Sequence, residues 1–75
     1  MAKLPTVTST QLIVVLQKLG FKVIRQKGSH VRLKDQDNRV VTIPIHGGKT
    51  IGKGLLLKII RDAEITKEEL IRLLD

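Results

Sequence analysis

The sequence predicts an α+β fold: one helix, a three-stranded antiparallel sheet, and two further helices of which the last is short. Three observations carry this. Apolar residues recur at helical spacing before residue 20 and again from residue 55, the stretch between them alternates with a period of two, and turn residues separate the runs. The 75 residues make one unit, 1–75, because domains commonly hold about 100 to 150 residues. A chain this short buries only about 60% of its unfolded surface, so any active site must lie on the surface or in a shallow groove.

Each element follows from local chemistry. Met1–Val7 reads as a short lead-in. Thr8-x-x-Gln11 is a capping-box pattern, and Leu12, Leu16 and Leu19, with Ile13 and Val15 beside them, give a helix from about residue 9 to 19. Gly20 stands where a left-handed cap closes a helix. Three short runs follow, Phe21–Arg25, Ser29–Asp35 and Arg39–Ile45, each bounded by turn residues. Leu55, Leu56, Ile59, Ile60 and Ala63 form the stripe of a second helix. Thr66-x-x-Glu69 caps a third that runs through Leu74.

The turns set the strand registers. A three-residue loop Gln26-Lys27-Gly28, with Gly28 left-handed, places Phe21 opposite Leu33 and Val23 opposite Val31. A three-residue loop Gln36-Asp37-Asn38, with Asn38 left-handed, places Leu33 opposite Val41 and Val31 opposite Ile43. The outer face then carries Lys22, Ile24, His30, Arg32, Lys34, Val40, Thr42 and Pro44. A two-residue first turn would bring Arg25 beside His30 but send Lys22 towards the core, which disfavours it.

Charge narrows the function. The formal net charge is +7, and it is unevenly spread. Residues 1–34 hold seven bases and no acid, whereas residues 35–75 hold seven of each. A basic excess confined to one half favours a polyanionic partner, with nucleic acid the first candidate. The sequence has no cysteine, which removes disulfides, thiolate metal sites and thiol catalysis. The longest apolar run is five residues, Leu12 to Leu16, against the roughly 20 of a membrane span. The expectation is a soluble cytoplasmic protein.

Among candidate chemical groups, His30 in Lys27-Gly28-Ser29-His30 leads. A neutral imidazole is a usable general base, and the cations around it would hold a phosphodiester. The plainer reading is an exposed strand histidine with no role. His46, in Pro44-Ile45-His46-Gly47-Gly48, is a possible acid partner or phosphate contact; the plainer reading makes it a loop residue that fixes a turn. Gly48-Lys49-Thr50 imitates the end of a phosphate-binding loop, but Ile43 stands where that motif needs glycine. The outer face offers no carboxylate cluster for a two-metal nuclease. It suits metal-free RNA cleavage, in which a 2′-hydroxyl attacks the adjacent phosphorus. Phe21 is the only aromatic residue and is assigned to the core, so recognition would rest on phosphates, 2′-hydroxyls and shape rather than on stacking.

These residues form a pattern. Gly20-Phe21, Arg25-Gln26-Lys27-Gly28-Ser29-His30, Val41-Thr42-Ile43-Pro44-Ile45-His46, Lys53-Gly54 and Ile59-Ile60 closely resemble the HicA family of toxin–antitoxin mRNA interferases. The resemblance implies a double-stranded-RNA-binding-domain-like fold, α-β-β-β-α, and mRNA cleavage with His30 as the catalytic histidine. It also implies a HicB-type antitoxin that covers the His30 face. No cofactor is expected. Lys22, Arg25, Lys27, Ser29, Arg32 and Lys34 are the candidate RNA contacts, and His46 is a possible accessory. A non-catalytic RNA-binding module of the same fold is the alternative. A helix-turn-helix made of the last two helices is disfavoured, because that half of the chain is neutral and exposes Asp62, Glu64 and Glu68. This chain has Val31-Arg32-Leu33 where family members often carry an aromatic residue. Glu64 stands where the family commonly has glycine, and a left-handed non-glycine residue there would cost about 1 kcal/mol.

Overall fold

The computed structural model describes residues 3–45 and 47–74. Its elements are α1 (Ser9–Lys18), β1 (Lys22–Lys27), β2 (His30–Lys34), β3 (Val40–Pro44), α2 (Lys53–Ala63) and α3 (Lys67–Leu74). The sheet is open and antiparallel in the order β1-β2-β3. This is the α+β, α-β-β-β-α pattern expected, with the third helix added at the end.

The helix ends form as their residues dictate. The Thr8 hydroxyl accepts the Gln11 N–H at 3.2 Å while the Gln11 side chain accepts the Thr8 N–H at 2.8 Å, a complete capping box. At the other end the Gly20 N–H reaches the Gln17 carbonyl and the Phe21 N–H reaches the Leu16 carbonyl. That is a Schellman closure, with Gly20 at φ 99. Thr66 and Glu69 repeat the capping box on α3. Helix α2 ends on Glu64, which is left-handed at φ 57, a conformation that ordinarily favours glycine.

The core lies between one face of the sheet and the helices. Val31, Leu33, Val41 and Ile43 point inward from β2 and β3, and Leu12, Val15, Leu16, Leu56, Ile59, Ile60 and Ala63 meet them from α1 and α2. Leu70 seals α3 against this core and is fully buried. The lead-in expectation for Met1–Val7 needs one change. Val7 is fully buried and its carbonyl accepts the Ile51 N–H at 2.8 Å, beside a bridge between Thr8 and Thr50. The buried Ser9 hydroxyl donates to the Pro44 carbonyl at 2.8 Å, tying the start of α1 to the end of β3.

The second hairpin has the expected register. Leu33 faces Val41 and Val31 faces Ile43, and Asn38 is left-handed at φ 64. The first hairpin does not. Lys27 pairs with His30, so the loop is the two residues Gly28-Ser29 rather than Gln26-Lys27-Gly28. Gly28 still has positive φ, 57, now at the first loop position, where a type II′ turn wants glycine. Val23 therefore faces Leu33, not Val31, and Phe21, buried just ahead of the strand, faces neither.

A bulge reconciles the shorter turn with the outward position of Lys22. The ladder skips Ile24 between Val23 and Arg25, which restores parity and sets Lys22 opposite Lys34. A two-residue turn would bury Lys22 only if the ladder were unbroken and β1 had a buried inner side. Neither holds: all six β1 residues are exposed, because β1 is an edge strand that the helices leave uncovered.

Candidate nucleic-acid interface

The outer face of the sheet is built in three cross-strand rows. The first holds Lys27, His30 and Pro44, the second Arg25, Arg32 and Thr42, and the third Lys22, Lys34 and Val40. Because the β pleat turns alternate residues outward, the rows place five cations and His30 on one side of the sheet. The bulge matters here. The two-residue turn puts Arg25 and Lys27 on the His30 face, and the skipped Ile24 keeps Lys22 there with them.

Arg25, Lys27, His30, Arg32 and Thr42 line a shallow groove of about 250 Å³. It is the open, surface-level site that a chain of this size allows. Of the residues expected to form the site, the groove gathers Arg25, Lys27, His30 and Arg32. Lys22 and Lys34 extend the same face one row further along. Ser29 belongs to the turn, where its carbonyl accepts the Ile45 N–H at 2.6 Å and so fixes the end of β3 beside His30. His46 lies outside the described residues. Thr42 is the lining residue that sequence reasoning placed on the face without giving it a role; its register position opposite Arg32 was the available signal.

The electrostatics are one-signed. Among the described residues the ion pairs join Arg39 to Asp35 and Asp37, and Lys58 to Asp62. None uses a cation of the three rows. The nearest carboxylate along the chain, Asp35, is turned into the β2–β3 loop, where it accepts the Arg39 N–H at 2.8 Å, the Arg39 Nε at 2.7 Å and the Asp37 N–H at 3.1 Å. Burial pushes the Asp35 carboxyl upward, but the Arg39 and Asp37 hydrogen bonds and the Arg39 charge outweigh it and hold the pKa below its ordinary value. The same partnership raises Arg39, chiefly through the Asp35 hydrogen bond. Among the described residues no three His, Cys, Asp or Glu side chains gather into a metal-binding group.

The chain that folds into this small α+β domain, with His30 on a cationic sheet face, is similar to a known family. The family model described as the HicA toxin of bacterial toxin–antitoxin covers residues 9–65. The chain belongs to the HicA toxin family. It is thus a toxin-family member whose biological setting includes an antitoxin. No curated protein matches the chain. The HicA match spans α1 through the end of α2 and its left-handed cap, and so includes every residue of the three rows. Helix α3, which supplies the buried Leu70, follows the matched segment. No helix of the described residues is long and apolar enough to cross a membrane.

Proposed function

We propose that this HicA-family toxin is a metal-independent endoribonuclease that cleaves mRNA, with His30 as its catalytic base. The observation that carries the reading is the groove in which His30 is surrounded by Arg25, Lys27 and Arg32 with no carboxylate in the lining. His30 takes the proton of a 2′-hydroxyl, the O2′–P bond forms as the P–O5′ bond breaks, and the departing 5′ oxygen takes a proton from water. The products are a 2′,3′-cyclic phosphate and a 5′-hydroxyl. Cations placed around the phosphorus stabilise the charge that develops on its free oxygens, and the Thr42 hydroxyl is within the same groove as a further donor.

Lys22, Arg25, Lys27, Arg32 and Lys34 hold the RNA through its phosphates, and Ser29 positions the turn. The toxin acts in the cytoplasm, where mRNA is found, and a HicB-type antitoxin silences it by covering the His30 face. Because the groove is shallow and open, covering that face is the direct way to stop catalysis.

The test compares wild type with His30→Ala on single-stranded RNA, on a 2′-deoxy analogue, and in EDTA. Wild type should cut RNA in EDTA, leave the deoxy analogue intact and yield cyclic phosphate ends, and His30→Ala should lose at least about a hundredfold in rate. Equal cleavage by both proteins would refute the role of His30. Salt-sensitive binding without any turnover would make the protein a binding module instead.

A further inference from the structure

Two of the three rows place like charges directly against each other. Arg25 faces Arg32 and Lys22 faces Lys34 across the β1–β2 ladder, an arrangement that destabilises a sheet unless something neutralises it. No ion pair among the described residues does so. Successive outward positions on the unbroken strand β2 lie about 6.7 Å apart, close to the separation of neighbouring phosphates along an extended nucleic-acid strand, and the bulge keeps Arg25 and Lys22 of β1 opposite Arg32 and Lys34. The rows therefore form a ladder of anion positions at phosphate spacing. His30 sits in its first row, where β2 begins directly after the Gly28-Ser29 turn, and both doubly cationic rows lie on one side of it. On β3 the rows end in the uncharged Pro44, Thr42 and Val40.

Resting on the reading of this face as an RNA site, we infer that the toxin binds a single RNA strand laid along β1 and β2 with one phosphate per row. The scissile phosphate lies at the His30 row. The next phosphate sits between Arg25 and Arg32, and the one after between Lys22 and Lys34, so the footprint extends from the cut to one side only. Riboses and bases lean towards β3, where Thr42 is the polar contact and Val40 and Pro44 are the apolar ones. Base discrimination from such contacts is slight, and the charge ladder supplies most of the affinity.

The experiment has a cleavage arm and a binding arm. Short single-stranded RNAs with one cleaved linkage carry a single neutral methylphosphonate at the first or second position on either side of the cut. On one side, each substitution should lower kcat/KM at least tenfold; on the other side the change should stay below twofold. In the double variant Lys22→Ala/Lys34→Ala the second-position effect should vanish. Equal sensitivity on both sides, or a second-position effect that survives in the variant, overturns the footprint. The binding arm uses an RNA with 2′-deoxyribose at the cut, so that catalysis is not needed. Each phosphate that the protein no longer neutralises lowers the slope of log K against log salt by about 0.7 for single strands, and the double variant should show that decrease. An unchanged slope overturns the inference whatever happens to cleavage. A lowered slope with no cleavage anywhere leaves the footprint standing and refutes only the catalytic reading.

Discussion

Lys22 stands directly opposite Lys34 because the β1–β2 ladder passes over Ile24. Were Ile24 paired in an unbroken ladder, the two-residue turn would put Lys22 on the other side of the sheet. The bulge therefore sets the composition of the basic face, and it does so from a residue that is itself 52% exposed.

Deleting Ile24 should be tolerated. The ladder then runs unbroken with Val23 still opposite Leu33 and Lys22 still opposite Lys34. The expected stability change is about 1 kcal/mol or less, a midpoint shift within about 8 °C for a domain of this size, read by thermal denaturation. The salt dependence of RNA binding should be unchanged. Loss of cooperative folding would show that the bulge is needed for more than parity.

Glu64 and Gly20 make a pair of opposite sign. Both are left-handed helix caps, at φ 57 and φ 99. Glu64→Gly should raise stability by about 1 kcal/mol by relieving the conformational cost of a side chain there, which corresponds to about 4–8 °C in Tm. Gly20→Ala should lower it by a similar or larger amount. A destabilised Glu64→Gly protein would mean that the carboxylate has a compensating electrostatic role near Arg39.

Leu70 tests whether α3, which lies beyond the matched segment, is integral to the fold. Its side chain is fully buried, and Lys18 Nζ adds a bond from α1 to the Leu73 carbonyl at 2.9 Å. Leu70→Ala should cost about 2–5 kcal/mol. That is a large part of the roughly 5–15 kcal/mol available to a small domain, and chemical denaturation would measure it. A cost below about 1 kcal/mol would make α3 an appendage.

Asp35 should give the β2–β3 hairpin an acid limit. Its folded pKa lies below the unfolded value of 3.8, so the contribution of its contacts is fully present above that value. It is lost progressively as pH falls through 3.8 towards the lower folded pKa. Urea titrations at several pH values should show wild type more stable than Asp35→Asn at neutral pH, with the gap closing below about pH 4. A gap independent of pH would mean that the geometry of the loop, not the charge, does the stabilising.

Much of this was legible in the chain itself. Thr8, Gln11, Gly20, Thr66 and Glu69 mark helix ends through bonds that span three or four residues, and such short-range chemistry needs no tertiary context. Asn38 fixed the second hairpin for the same reason, helped by the need to bury Val31, Leu33, Val41 and Ile43 together. The carboxylate-free first half and His30 pointed to the basic face. Val7 was missed because its burial depends on Ile51, a partner far along the chain.

The sequence by itself determined the order of elements, the caps, the inner faces of β2 and β3, and the one-signed charge of the first half. The tertiary structure decided the register of β1. Gly28 can take positive φ either at the end of a three-residue loop or at the start of a two-residue one, so the turn residues permit both. The choice would be forced only if β1 had a buried side, as β2 and β3 have. It lies at the open edge, where the helices do not cover it, and an exposed strand can absorb an extra residue at little cost in burial. That freedom brought Arg25 and Lys27 to His30 while keeping Lys22 on the same face.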